Sequence, residues 1–338
     1  MKTKIAVIIA ALIATPVFAQ SARSTMKAIV VHEYGGPEVL KYEDAPRPEP
    51  KENEILVKVI AAGVNPVDSA ARSQKYARFM NITLPAIPGY DIAGIVERTG
   101  TSVTKFKAGD PVYAYIALDK GGAYAEYAVA TEKEAAAKPK SLTYVEAAAV
   151  PLVSLTAWQA LIDTAKLSPG QTVLIHGGSG GVGSFAIQIA KARGAKAFAT
   201  ASTPNQNLLK QLGADVAIDY TKQKFEDIAK DVDVVLDSVG KDTLVRSYGI
   251  VKKGGIIVSI VGRPNQAELD KHGIRGASIS VEPNSDELAE ITKLIEEKKI
   301  KVVVSQTLPL AEAAKAQSQA DTHHTRGKIV LKVAEEPK

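Results

Sequence analysis

The spacing of apolar and polar positions divides the chain into two parts. In the first part, short apolar runs are separated by turn residues, which is typical of β-strands. Pro46, Pro48 and Pro50 form a connector between the first two runs. The pattern favours a β-rich, barrel-like region over residues 26–140. We predict its strands at 27–31, 55–60, 92–96, 112–116 and 123–130.

The period changes near Tyr144, where a predicted helix (146–163) is broken or kinked at Pro151. From residue 172 onwards strands alternate with helices, which favours a parallel, doubly wound sheet. The strands are predicted at 172–176, 195–200, 216–218, 232–236 and 255–261, and the helices between the first of them at 183–193 and 206–212. Two further helices (286–298 and 310–321) and a closing strand (328–333) complete the chain.

The first residues form a separate unit with a basic start, Lys2 and Lys4, and an apolar run over residues 5–14. Small residues before a cleavage point after Ala19 complete the layout of a secretory signal peptide over residues 1–19, which predicts a periplasmic or secreted protein. A buried strand or an uncleaved anchor is the alternative. Translation from Met26 would instead give a cytoplasmic protein. No membrane-spanning run follows residue 20.

Composition narrows the function classes. The chain has 338 residues, of which 46% are hydrophobic and 23% charged, as in an ordinary globular protein of about two domains. The net charge of +5 comes with no basic arm, so a nucleic-acid partner is not expected. The chain contains no Cys, which excludes disulfides, thiolate nucleophiles and zinc sites with Cys ligands.

The strongest motif is a G-x-G-x-x-G sequence at Gly178, Gly180 and Gly183, between a predicted strand and a predicted helix. In dinucleotide-binding proteins such glycines make a tight turn, let backbone amides approach the pyrophosphate, and let the helix lie close to the strand. The helix N-terminus then faces the phosphates. A glycine-rich turn without a ligand is the alternative.

The residues after the next strand bear on the choice of dinucleotide. NAD sites usually carry an acidic residue about 20 positions beyond the glycines. Here the first acidic residue after Gly183 is Asp215, and the strand ends in Ser202 and Thr203, with Asn205 nearby. Hydroxyls and amides can donate to a 2′-phosphate, and we expect no carboxylate to repel it. The pattern therefore favours NADP(H), although these residues also suit helix caps.

Several motifs in one order resemble the zinc-independent quinone oxidoreductase branch of the medium-chain dehydrogenase/reductases, over nearly all of residues 26–333. The matching segments are 26–28, 35–40, 61–68, 88–94, 109–113, 156–158, the glycine loop, 212–215, 218–220, 237–240 and 327–330. Asn65-Pro66-Val67-Asp68, Pro88-Gly89-Tyr90-Asp91 and residues 199–203 look most like the alkenal/enone reductase subgroup.

The resemblance implies an α/β fold with a GroES-like, β-rich catalytic domain (26–150 and 284–338), a Rossmann domain (151–283) and a cofactor cleft between them. It implies that Asn65 lies beside the nicotinamide and that Lys328 closes the cleft. The other implied NADP(H)-binding residues are Thr156, the glycine-loop residues Gly178, Gly180, Gly181, Val182 and Gly183, then Ser202, Asn205 and Tyr220 at the 2′-phosphate, Val239 at the adenosine, and Ile260, Val261 and Gly262 near the nicotinamide.

The chain departs from its relatives in two places. Many of them carry Lys near the position of Asn205, and zinc-using ones carry Gly-His-Glu where Gly89-Tyr90-Asp91 stands here. A catalytic zinc is therefore not expected. Without zinc, hydride transfer suits an acceptor that is already electron-poor, namely a quinone or an α,β-unsaturated carbonyl.

Other polar residues have both a functional and a structural interpretation. Tyr76 and Tyr90 are candidate proton donors, although Tyr more often serves packing. Asp68 either positions a loop or water or caps a turn. His176 fits a satisfied core position, and the adjacent His323 and His324 fit a helix end better than a metal site.

Three function classes remain: an NADPH-dependent quinone or enone reductase, a dinucleotide-binding protein without turnover, and an exported partner-binding protein on the same fold. The strand-like run at 277–281 predicts a homodimer.

Overall fold

The computed structural model of the protein describes residues 25–337. The predicted signal peptide lies outside these residues. The first part of the described chain is mainly β, and one short helix follows a 3₁₀ segment (Pro66–Arg72). Its elements are β1 (Thr25–Val31), β2 (Leu40–Pro46), β3 (Glu54–Val64), α1 (Gln74–Phe79), β4 (Asp91–Thr99), β5 (Pro111–Tyr115), β6 (Tyr127–Thr131) and β7 (Ala135–Ala137).

The rest of the chain alternates strands with helices, as expected. It begins with α2 (Tyr144–Ala148), α3 (Pro151–Trp158) and a π-helical turn (Gln159–Thr164). There follow β8 (Thr172–Ile175), α4 (Gly181–Ala192), β9 (Lys196–Ala201), α5 (Gln206–Gln211), β10 (Val216–Asp219), β11 (Val232–Asp237), α6 (Lys241–Ser247), β12 (Val251–Ser259), α7 (Gln266–His272) and β13 (Arg275–Ser278). The last elements are α8 (Ser285–Glu296), β14 (Val304–Pro309), α9 (Ala313–Ala320) and β15 (Lys328–Lys332).

A six-stranded parallel sheet confirms the predicted doubly wound fold. Its strand order is β10-β9-β8-β11-β12-β13. Strand order therefore reverses between β8 and β11, and open α/β sheets bind ligands at the carboxyl ends of their strands at such a point. The glycine loop follows β8 and lies at this place.

A second sheet joins the two ends of the chain. Its order is β14-β15-β3-β4-β5-β7, and β6 also pairs with β3. The C-terminal strand β15 runs antiparallel to β3, with Ile329 opposite Val64. This pairing brings Lys328 next to the residues that follow β3.

Some predicted boundaries were wrong. The region before β3 contains an additional strand, β2, which pairs with all of β1, and the strand predicted at 123–130 begins only at Tyr127. The strand predicted at 255–261 covers Val251–Ser259 instead, so Ile260 and Val261 lie in the following loop. The helix predicted from Gly183 begins at Gly181, because Gly180 is extended (φ −79°, ψ −177°) and forms its N-cap.

Helix α3 packs against elements from both parts of the chain. Every residue from Pro151 to Trp158 is buried, and α3 packs against α4, α8 and β5. The Tyr113 hydroxyl in β5 donates to the Leu288 carbonyl of α8 (2.8 Å) and lies 2.8 Å from the Thr292 hydroxyl. Among residues 25–337, no helix is long and apolar enough to cross a membrane.

Candidate active site

The glycine loop is shaped by close backbone contacts. Gly177 has a left-handed φ of +71°, which a side chain would strain, and it makes the sharp turn after β8. A Cβ on Gly183 would lie 2.2 Å from the Gly177 carbonyl oxygen, so the first turn of α4 packs directly on the loop. Sequence reasoning assigned the turn to the three motif glycines and missed Gly177, which immediately precedes them.

Gly180 has a different environment. A Cβ there would have the Gly177 carbonyl oxygen, at 3.4 Å, as its nearest neighbour in the described chain. The space above Gly180 is therefore open, and the first-turn amides of Gly181, Val182 and Gly183 have no carbonyl partner within the helix. An open cradle at the N-terminus of a twelve-residue helix fits a pyrophosphate.

Lys328 connects the glycine loop to the second sheet, which contains β3 and β15. The amide of the preceding residue, Gly327, donates to the Ser179 carbonyl (2.8 Å). A Cβ on Gly181 would lie 3.1 Å from Lys328 Cδ, so the lysine stem runs along the start of α4. Its buried ammonium donates to the Val64 carbonyl (2.6 Å) and to Asn65 Oδ1. The Lys328 side chain thus contacts the glycine loop, the last residue of β3 and the residue after it.

Asp91 completes this cluster and was not among the predicted site residues. Asn65 Nδ2 donates to Asp91 Oδ2 (2.9 Å), which lies 3.8 Å from Lys328 Nζ. Asp91 Oδ1 accepts the amide of Leu152 (2.8 Å) at the start of α3. The side-chain amide of Asn65 is therefore held at both ends, and its second N–H has no partner among the described residues. The signal in the sequence was an aspartate at the start of an apolar strand.

Burial and mutual attraction compete in this cluster. Burial raises the pKa of Asp91 to about 6, and the Lys328 ammonium opposes that rise. Burial likewise lowers the pKa of Lys328, against the attraction of Asp91 and Asp68. A buried charge is tolerated only when it is paired and hydrogen-bonded, as both groups are here.

Asp68 caps the 3₁₀ segment that follows Asn65. Its Oδ2 accepts hydrogen bonds from the backbone N–H of Asn65 (2.7 Å) and from the Tyr124 hydroxyl (2.6 Å). Burial raises the pKa of Asp68 to about 7. Of the two interpretations of Asp68, the capping role therefore matches these contacts. The cap fixes the backbone on which the Asn65 side chain stands.

The turn after β9 differs from expectation at one point. Asn205 Nδ2 donates to the Ser202 hydroxyl (3.2 Å), and Tyr220, 53% exposed, lies beside them because its amide bonds the Ala201 carbonyl (3.3 Å). However, the Thr203 hydroxyl donates to Asp219 Oδ2 (2.6 Å). The expectation that no carboxylate lies at this turn was wrong, because β10 pairs in parallel with β9 and brings Asp219 there.

Asp237 organises the loops after β11 and β12 and was also missed. It ends β11 and accepts the amides of Val239 (3.1 Å) and Gly240 (2.8 Å) and the Ser259 hydroxyl (2.8 Å). Ser259 in turn accepts the Gly262 amide (3.1 Å). One carboxylate therefore shapes the loops that carry the predicted residues Val239, Ile260, Val261 and Gly262. Val239 and Val261 are each at least half exposed at this edge.

The remaining predicted residues differ in their exposure to solvent. Thr156 is buried in α3 and bonds the Leu152 carbonyl (2.7 Å), whereas Tyr76 is 55% exposed on α1. Tyr90 is buried, and burial raises its pKa, which weighs against a proton-donating role. His176 is a satisfied core residue between Thr200 and Ser247, and burial lowers its pKa to about 4.

Comparisons with known proteins agree with this geometry. The family model for an alcohol dehydrogenase GroES-like domain matches residues 51–140, and that for a zinc-binding dehydrogenase matches residues 212–331. The chain is 41% identical over 318 residues to the NADPH-dependent alkenal/one oxidoreductase, chloroplastic, of Arabidopsis thaliana, covering 90% of this chain and 79% of that protein.

Solved structures decide the family. The quinone oxidoreductase from Coxiella burnetii is 37% identical with a TM-score of 0.85, over 92% of this chain and all of that one (100%). This chain belongs to the quinone oxidoreductase family of medium-chain dehydrogenase/reductases. The Escherichia coli quinone oxidoreductase complexed with NADPH is 32% identical to this family member, with a TM-score of 0.82 over 91% of this chain and 100% of that one.

One of the two matching family models is described as a zinc-binding dehydrogenase. Within residues 25–337 no three His, Cys, Asp or Glu side chains are grouped as metal ligands. Where Asn65 and Asp91 meet, the third group is the Lys328 ammonium, which repels a cation. His323 and His324 lie exposed beyond α9.

Proposed function

We propose that this protein is an NADPH-dependent oxidoreductase that reduces a quinone or an α,β-unsaturated carbonyl. The observation that carries the proposal is the position of Lys328, whose stem borders the glycine loop while its ammonium holds Asn65. The phosphate cradle and the amide group that would face the reacting ring are thereby parts of one contact network. The names of the relatives support the same chemistry.

The cofactor's pyrophosphate would be held by the amides of Gly181, Val182 and Gly183, and its nicotinamide half would lie beside Asn65. Val239 and Val261 would cover the sides of the cleft. When bound, NADPH supplies the hydride to the electron-poor carbon of the acceptor.

The protein's own residues orient the reactants and exclude water. Asp91 and Lys328 fix both ends of the Asn65 amide, so its remaining N–H points in one direction without reorganisation. We propose that no metal takes part, since the Lys328 ammonium beside Asn65 and Asp91 would repel a cation there. An acceptor that is already electron-poor, such as a quinone or an enone, then needs no Lewis acid.

Three further proposals concern the setting of the reaction. We propose domain boundaries at 150/151 and 283/284, and the separation of the chain into two larger sheets supports them. A homodimer would use β13, since this strand is the edge of the six-stranded sheet and is paired only with β12 among the described residues. Export through the signal peptide over residues 1–19, or cytoplasmic translation from Met26, would set the source of the cofactor.

The test is a fluorescence titration of the purified protein with NADPH and NADH, followed by a panel of quinones and enones. We expect tighter binding of NADPH and its oxidation by at least one acceptor class. Asn65→Ala should retain NADPH binding within a few-fold and lose most turnover. Binding by the wild type without turnover of any acceptor would favour a non-catalytic dinucleotide-binding protein. Failure of the folded protein to bind either cofactor would overturn the proposal.

A further inference from the structure

The turn predicted to receive the 2′-phosphate contains an unexpected negative charge. Asp219 ends β10 and accepts the Thr203 hydroxyl, on the residue next to Ser202. Hydrogen bonds from Thr203 and Thr221 hold the pKa of Asp219 below its usual range, so it is ionised at neutral pH. A carboxylate here repels a doubly charged phosphate. Position 205, whose side chain bonds Ser202, is Asn and carries no positive charge to offset this carboxylate.

A positive charge lies close to this carboxylate. Lys222 Nζ is 3.9 Å from Asp219 Oδ2, the same oxygen that accepts the Thr203 hydroxyl at 2.6 Å. Because both groups contact the same oxygen atom, the Lys222 ammonium also lies close to the Thr203 hydroxyl. The turn between Asp219 and Lys222 is tight, because the Lys222 amide donates to the Asp219 carbonyl (3.0 Å).

If the Lys222 side chain moves away from Asp219, the carboxylate keeps its other hydrogen-bond partners. Asp219 Oδ1 accepts the Thr221 amide (3.0 Å) and hydroxyl (2.7 Å), and its Oδ2 keeps the Thr203 hydroxyl. The Lys222 side chain is 69% exposed, and within residues 25–337 its ammonium has no hydrogen bond. Its four-carbon stem can turn towards a ligand at low cost.

We propose that Lys222 is the residue that confers selectivity for NADPH, by supplying the cation for the 2′-phosphate and offsetting the charge of Asp219. The inference rests on the proposed function. The phosphate would lie between the ends of β9 and β10, where Ser202, Asn205 and Tyr220 also stand. The Asp219 carboxylate would hold the Thr203 turn in place while Lys222 contacts the phosphate.

Lys224 provides a matched control. It lies two residues further along the same loop, is also exposed, and has no carboxylate partner among the described residues. It is the N-cap of a 3₁₀ turn (Phe225–Asp227) that precedes β11 in the chain. Lys222→Ala and Lys224→Ala therefore change the net charge equally, and only the first removes the proposed contact.

The experiment compares the Kd of NADPH and of NADH, by fluorescence titration, for the wild type, Lys222→Ala, Lys222→Arg and Lys224→Ala. We expect Lys222→Ala to weaken NADPH binding about tenfold and NADH binding less than about twofold, as the loss of one charge-assisted contact does. Lys222→Arg should retain most of the NADPH affinity. Between low and high salt, the Kd of NADPH should change less for Lys222→Ala than for the wild type.

Two results would overturn the inference. One is an effect of Lys222→Ala on NADPH no larger than that of Lys224→Ala, and the other is equal weakening of NADPH and NADH. Both leave the proposed function intact. A wild-type protein that binds neither cofactor would refute the proposed function itself, and that result is read before any variant is compared. Circular dichroism of each variant checks that the fold is unchanged.

Discussion

Replacing Gly180 with Ala should separate cofactor binding from folding. Gly180 has extended backbone angles that alanine adopts without strain, and the atom nearest to the new Cβ would be the Gly177 carbonyl oxygen at 3.4 Å. The methyl group would, however, occupy the space that the pyrophosphate needs. We therefore expect a change of less than about 1 kcal/mol in the free energy of unfolding. We also expect at least about a tenfold loss of NADPH affinity.

Gly183→Ala should behave differently although it changes the same motif. Its Cβ would lie 2.2 Å from the Gly177 carbonyl oxygen and 2.7 Å from Gly178 Cα, which are both backbone atoms. The loop must move by about 1 Å to restore ordinary contact, and overpacking of this kind costs about 1–3 kcal/mol. Both the free energy of unfolding and NADPH affinity should therefore decrease.

Gly249→Ala provides the control for the substitution itself. Gly249 lies in a 3₁₀ turn of the same domain, and a Cβ there would have no described atom within 4 Å. Urea denaturation and NADPH titration of the three variants give the comparison, and we expect Gly249→Ala to match the wild type in both. If Gly180→Ala kept wild-type affinity, or lost as much stability as Gly183→Ala, the assignment of the open cradle would be refuted.

Two further predictions concern buried carboxylates. Asp237→Ala should lower the free energy of unfolding by about 3 kcal/mol and weaken NADPH binding, because the Val239 and Gly240 amides and the Ser259 hydroxyl lose their acceptor. Urea denaturation should show a much smaller loss of stability for Asp237→Asn. Equal losses for the two variants would contradict this role of Asp237. The pKa of Asp68 is raised to about 7, so the folded state keeps a proton that the unfolded chain releases near pH 4, and stability should fall as the pH rises from about 4 to about 7. In denaturation curves at pH 5 and pH 8, the difference in the free energy of unfolding between the two pH values should be smaller for Asp68→Asn than for the wild type, although Asp91 contributes in the same direction. An unchanged difference would show that another group causes the pH dependence.

The predictions that succeeded rest on local sequence. The alternation of strands and helices and the glycine motif lie within single segments of the chain, where spacing alone determines which residues share a face or a turn. Gly180 and Gly183 could therefore be placed in the turn between β8 and α4 before any tertiary contact was known. The boundary of α4 was wrong by two residues, because Gly180 rather than Val182 forms the N-cap.

The predictions that failed depend on pairing between distant segments. Asp219 reaches the Thr203 turn only because β10 pairs with β9 in the register that sets Asp219 opposite Ala201. Asp91 becomes part of the site through Asn65, which follows β3, and Leu152 in α3, and these residues are 26 and 61 positions from it in the sequence. Neither hydrophobic spacing nor motif matching contains this register information, so a single sequence could not indicate these contacts.

The position of Lys328 near the end of the chain has a consequence for synthesis on the ribosome. The glycine loop and β3 are both synthesised before Lys328, the residue that connects them. Until β15 emerges and pairs with β3, the edge of that strand beside Asn65 has no partner on this side, and the Asn65 amide lacks the ammonium that holds its oxygen. The two parts of the proposed cofactor site are therefore joined only after Lys328 has been synthesised and β15 has paired, and a product truncated before β15 would carry both parts without this contact.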